Sequence, residues 1–204
     1  MDTQGDMYSY SLCLEGKDVE FRGVNSSLVR QYLGSCLTER MKERNTKGYL
    51  KYKLDHDLLL YRNEIKAYSK LAHLEVCPKL LHHGVLFECQ VSYQLLGSTL
   101  EEDKGKFTLY AYYIEVENYG VDLVERFGRA STSSMYYMCK DKPPDRKELA
   151  LCFPYPKHVQ TQIIDLVDKM HKAGVYHKDL HSSNVLIKDD VVKIIDFEFC
   201  EFRD

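Results

Sequence analysis

His177-Lys-Asp-Leu-His-Ser-Ser-Asn-Val-Leu-Ile-Lys-Asp-Asp-Val-Val-Lys-Ile-Ile-Asp-Phe197 is the stretch whose reading decides the fold. Asn184–Ile187 and Val191–Ile195 read as a hairpin around the polar Lys188-Asp189-Asp190. Asp179 and Asn184 lie five apart on a polar loop ahead of it, and Asp196 ends the second run. A carboxylate able to accept a hydroxyl proton, with an amide and a second carboxylate suited to Mg²⁺, is the residue set that phosphoryl transfer requires.

Upstream, His158–Lys172 reads as an amphipathic helix with Val159, Ile163, Leu166, Val167 and Met170 on one face. Pro156 before it and Gly174 after it are the expected start and stop. Further back, Asp57–Leu74 reads as a helix with Leu60, Ala67 and Leu71 in a stripe, and Glu64 falls inside that stripe. A solvated glutamate does not normally sit there. Val19–Phe21, Ser27–Leu33, Tyr49–Leu54, Gly84–Tyr93 and Phe107–Val116 read as strands. Thr38–Lys47 reads as an exposed turn between two of them, and the polar stretch Gly128–Pro156 as loop with a short helix. Gly120 breaks the strand pattern within Glu117–Asp122, a natural hinge.

Composition narrows the class. At 204 residues the chain suits one domain or two small lobes, and a net charge of −3 offers no field for nucleic acid. No apolar run approaches the roughly 20 residues of a membrane helix, and the N-terminus lacks a signal peptide's basic start and apolar core. Seven dispersed cysteines without a C-x-x-C pair favour free thiols, hence cytosol or nucleus. A zinc site built from His171, His177 and His181 is disfavoured because Gly174 should end the helix before His177. Sixteen tyrosines are most simply strand and core packing.

Gly-Val-Tyr-His-Lys-Asp-Leu-His-Ser-Ser-Asn-Val-Leu-Ile followed by Val-Lys-Ile-Ile-Asp-Phe-Glu resembles the catalytic and metal-binding loops of the protein-kinase-like superfamily. The similarity extends to Tyr49-Leu50-Lys51, like the strand carrying the family lysine, to Glu64, like its helix partner, and to the hinge. The resemblance implies an α+β, two-lobed fold: a β-rich N-lobe with one helix over 1–116, a hinge over 117–122, and a C-lobe over 123–204. It implies ATP and Mg²⁺, with Asp179 receiving the acceptor proton and Asn184 and Asp196 holding the metal. Lys51 would contact the phosphates and pair with Glu64, although Lys53 on the same strand face competes for that role. Main-chain groups around Glu117 and Tyr119 would receive adenine, and His177 would hold the loop.

Three departures qualify what the resemblance implies. No G-x-G-x-x-G is present; Gly23-Val-Asn-Ser-Ser-Leu-Val is the nearest phosphate-loop candidate. Lys178, His181 and Glu198 replace the usual arginine, lysine and glycine, and His181 with Ile-Asp-Phe-Glu is similar to aminoglycoside and choline phosphotransferases. The acceptor is therefore expected to be a protein Ser/Thr slightly ahead of a small-molecule alcohol, and a weak or inactive nucleotide- or partner-binding module is the alternative. Finally, the sequence stops eight residues after Asp196, so the C-lobe is expected to be cut short: the chain is a fragment, or a minimal fold closed by its own N-terminal lobe, or one whose apolar surface a protein partner covers.

Overall fold

The computed structural model describes residues 7–44, 46–129 and 146–203. Most of the Gly128–Pro156 loop expectation lies outside the described residues. Two compact units are distinguished. The first comprises the chain up to Thr46, Leu50–Leu58 and His83–Ile114; the second comprises Lys47–Tyr49, Leu59–His82 and the chain from Glu115 on.

The first unit is built on a five-stranded sheet. β1 (Tyr8–Leu14) and β2 (Lys17–Val24) form an antiparallel hairpin closed at Leu14↔Lys17. Its two turn residues, Glu15 and Gly16, both have positive φ, which matches the right-handed twist of the strands they join. Along β1, Tyr10 and Leu12 are buried while Ser11 and Cys13 are exposed, the period-two alternation of a half-covered strand. β1 also pairs with β4 (Leu80–Leu95), Leu12 opposite Val91. With β3 (Tyr49–Asp55) and β5 (Lys104–Val116) the order is β2-β1-β4-β5-β3.

The cover on the apolar side corrects the sequence reading. Ser27–Leu33, expected as a strand, and half of the expected Thr38–Lys47 turn form one helix, α1 (Ser26–Lys42). Asn25 caps it, its Oδ1 accepting from the Leu28 amide and the Ser27 hydroxyl. Val29, Leu33, Leu37 and Met41 recur every four residues and pack into one cluster with Leu12, Phe87, Val91 and Leu109. At about 1.5–3 kcal/mol for each buried aliphatic side chain, that stripe outweighs the modest β preference of a Leu-Val pair. The first unit therefore carries a helix that the sequence reading did not anticipate.

In the second unit, α2 (Leu59–Leu71) buries Glu64, Ala67, Tyr68 and Leu71. β6 (Val121–Asp122) leads into α3 (Leu123–Phe127), which Asp122 caps by accepting from the Glu125 amide. α4 (Arg146–Cys152) packs beside α5 (Lys157–Lys172). β7 (Val175–Tyr176) follows, then β8 (Val185–Lys188), β9 (Val191–Ile194) and β10 (Glu201–Phe202). β8 and β9 form the expected hairpin, turned at Asp189 and Asp190, both at positive φ. β6 adds to β8, and β7 pairs with β10. Val159, Ile163, Leu166, Val167 and Met170 of α5 are all buried, with β7, β9 and α4 packed on the helix.

Candidate active site

The loop from β7 into β8 is set by a buried histidine. His177 is fully buried, and its Nδ1 accepts from the Asp179 amide at 3.3 Å. The ring proton therefore sits on Nε2, which donates to the Ile195 carbonyl at 2.8 Å. Burial lowers the pKa of His177, so the neutral ring persists. The ring lies 5.1 Å from that of Phe197, which meets Tyr68 edge-on at 5.2 Å. The Asp179 amide also donates to the His177 carbonyl at 2.9 Å, so Asp179 is fixed at its main chain. Lys178 between them has φ 63°, a left-handed conformation held in part from outside: its ammonium lies 3.3 Å from Glu201.

Asn184 joins this loop to the end of β9. Its Nδ2 donates to the Asp179 carbonyl at 2.9 Å, so Oδ1 is the side-chain atom that could ligate a cation. Its own carbonyl accepts from the Ile195 amide at 3.0 Å. Ile195 thus bonds His177 through its carbonyl and Asn184 through its amide, and Asp196 follows directly, at φ 67°. Among the sequence-predicted residues, Asp179 and Asn184 are joined by a hydrogen bond, and Asp196 adjoins Ile195, which Asn184 holds through its backbone.

Glu64 and Glu198 enlarge the acidic end of that assembly. One carboxylate oxygen each from Glu64, Asp196 and Glu198 lies within 4.8 Å of the others. Glu64 and Glu198 are 2% and 4% exposed, so their charges face little water. The negative potential reaches its neighbours. The Tyr68 hydroxyl is held well above its usual pKa by burial first and then by Glu64, and the Cys200 thiol is raised by burial, Glu64 and Asp196. Hard oxygen donors crowded at this spacing fit a divalent cation of the Mg²⁺ type. Glu198 was noted in the sequence only as a departure at the glycine position; its burial beside Asp196 had no signal in residue order. His181 is the other omission. Its Nδ1 accepts from the Ser183 amide at 3.3 Å and its Nε2 stands 3.8 Å from Asp179 Oδ2.

The remaining candidates are placed as follows. Glu117 is exposed; its amide donates to the Lys79 carbonyl at 2.8 Å and its carboxylate lies 3.8 Å from the Lys193 ammonium. The Tyr119 ring lies beneath that ammonium at 4.6 Å, and its hydroxyl donates to the Val191 carbonyl at 3.4 Å. Lys51 is half-buried on β3, in the first unit. Lys53 lines a cleft with Thr38 and Lys42 of α1, a cleft that Lys51 does not line. Gly23–Val29, the phosphate-loop candidate, is the end of β2 and the cap of α1. β1, β4 and β5 separate β2 from β3 in the sheet, so these residues lie at the edge opposite Lys51's strand. The serines there serve a helix start.

Comparison with known proteins points to kinases. Residues 141–203 match the protein kinase domain family. The 3-deoxy-D-manno-octulosonic acid kinase of Vibrio parahaemolyticus is 37% identical over 79 residues, 35% of this chain and 33% of that protein. The MAPK/MAK/MRK overlapping kinase of Homo sapiens is 40% identical over 43 residues, 21% of this chain and 10% of that protein. Its Mus musculus counterpart is 41% identical over 39 residues, 19% of this chain and 9% of that protein. The matched segments span a third or less of these relatives' lengths. The loop assembly and the α+β architecture define a kinase-like domain. Together with these matches they support a place for the chain in the protein-kinase-like superfamily. Among the described residues, no helix is long and apolar enough to cross a membrane.

Proposed function

We propose that this chain is an ATP- and Mg²⁺-dependent phosphotransferase that moves the terminal phosphoryl group of ATP to a hydroxyl. The observation that carries the reading is the Asn184 side chain, which holds the main chain of Asp179 while its backbone holds the strand end preceding Asp196. A proton acceptor and a metal carboxylate are thereby kept in one rigid frame. The Asp179 side chain is 16% exposed, open enough to meet a hydroxyl but screened on most sides. Asp179 orients the acceptor hydroxyl and takes its proton as the new oxygen–phosphorus bond forms. Asn184 and Asp196 hold Mg²⁺, with Glu64 and Glu198 in reach of the same cation. When bound, the ion neutralises phosphate charge as the phosphoryl group transfers. Lys51 serves the phosphates. The main chain from Glu117 to Tyr119 receives adenine through groups other than the Glu117 amide, which Lys79 already occupies.

The acceptor is proposed as a protein serine or threonine, with a small alcohol as the second reading. Two observations favour the second: His181 beside Asp179, and the match to a kinase whose name specifies a sugar acid. Thermal unfolding followed with ATP, with and without Mg²⁺, tests the core of the proposal. A Mg²⁺-dependent rise in Tm that Asp196→Ala abolishes supports it. Absence of any response to ATP or Mg²⁺ overturns it. Transfer of radiolabel from ATP to a protein mixture or to a panel of sugars and amino alcohols then separates the acceptor classes.

A further inference from the structure

Away from Asp179, a basic hollow opens in the second unit where two helices end. Lys70 from the last turn of α2, His171 and Lys172 from the last turn of α5, and Arg203 beyond β10 line it around Ala173, Gly174 and Tyr176. Its lining includes no acidic side chain. Gly174 lets these elements meet. At φ +70° it suits glycine, and a Cβ there would stand 2.0 Å from the Arg203 carbonyl. The Arg203 amide donates to the Gly174 carbonyl at 3.0 Å, which draws the strand end against the helix end.

The cationic groups are held in place. Tyr176 forms a platform: the His171 ring stacks on it at 4.6 Å and 18°, and the Arg203 guanidinium carbon lies 4.5 Å from its centroid. Lys70 donates to the Ala173 carbonyl at 3.4 Å. The nearby acids are engaged. Glu201 meets Arg203 Nε at 2.6 Å and Lys178 at 3.3 Å, and Asp168 meets Arg146 at 2.8 Å.

Helix C-termini attract cations, which is the ordinary explanation for Lys70, His171 and Lys172. Each such end is equivalent to about −0.5 charge. Two of them offset about one of the three permanent cations, and Glu201, shared between Arg203 and Lys178, offsets part of another, so roughly one to two positive charges remain. Arg203, beyond β10, has no helix end of its own to serve.

We propose that this hollow is a binding site for a phosphate-type oxyanion, a free phosphate or the phosphate monoester of a larger ligand. It is distinct from the candidate active site and does not depend on the phosphotransferase reading. A guanidinium that keeps its Nη groups beside flanking lysines, its Nε being held by Glu201, matches the charge of phosphate oxygens. His171 reports occupancy. Burial, followed by a smaller effect of Arg203, lowers its pKa against an opposing effect of Asp168, and a bound dianion raises it.

Inorganic phosphate titrated into the full chain at constant ionic strength, followed through histidine ring resonances, tests the site. The expected result is a saturable shift of His171, with His181 beside Asp179 as the separate reporter of the active site. Arg203→Gln should weaken binding at least ten-fold, and Lys172→Gln, on an exposed position, at least three-fold. Phosphoserine and a sugar phosphate, run in parallel, distinguish the source of the monoester. The proposal is overturned if sodium chloride reproduces the His171 shift. It is also overturned if folded Lys172→Gln and Arg203→Gln proteins respond like the parent, or if only His181 moves.

Discussion

Glu198 buries a carboxylate two residues after Asp196 and within reach of Glu64, close enough for the three to share a divalent cation. Glu198→Gln replaces one of these carboxylates. The variant should gain less in Tm from Mg²⁺ with ATP than the parent does. Equal Mg²⁺ responses in the two proteins would separate Glu198 from the metal site. Asp179 offers the complementary test. Asp179→Asn keeps the shape and the main-chain bonds but removes the proton acceptor, so turnover should fall by about 10²–10⁴-fold while the Mg²⁺-ATP shift in Tm remains. At this scale the proposed site was largely legible, because Asp179, Asn184 and Asp196 sit at short fixed separations on a loop and a hairpin. The placing of Glu198 and His181 was not, since it depends on which way a side chain faces.

The elements show where local reading succeeds and where it misleads. α5 and the β8–β9 hairpin were readable because strong periodicity and turn residues agree over each segment. α1 was not, because a stretch such as Ser27–Leu33 contains too few turns to separate a helical stripe from a strand. Its period emerges only when Val29 and Leu33 are joined to Leu37 and Met41 inside the polar run that looked like a turn. Leu33→Ala should therefore cost about 2–5 kcal/mol, and Leu28→Ala, on the same segment but 41% exposed, well under half as much. Denaturant unfolding of both variants checks this; equal losses would contradict the helix. Asn25→Ala should cost about 1 kcal/mol through loss of the cap, in the same assay.

For the whole molecule, buried histidines tie stability to pH. The pKa of His177 is lowered in the folded chain, as is that of His171, from the ordinary value of 6.5. The unfolded chain then binds protons that the native one refuses, so stability is highest above 6.5 and declines as pH falls through that value towards the depressed folded pKa. Tm measured from about pH 8 to about pH 5 should show this decline, at up to about 1.4 kcal/mol per pH unit from His177. His177→Gln, although less stable, should have a shallower slope. A parallel profile would assign the acid sensitivity elsewhere. The sequence by itself determined the class of fold and the reacting groups of the proposal, since those lie in contiguous motifs whose spacing the backbone translates directly. The tertiary structure alone decided that β2 and β3 occupy opposite edges of the sheet, that Glu64 and Glu198 face Asp196, and that four basic side chains surround Gly174. Each of these depends on contacts between segments far apart in the chain, set by packing and strand order, to which local residue preferences are blind.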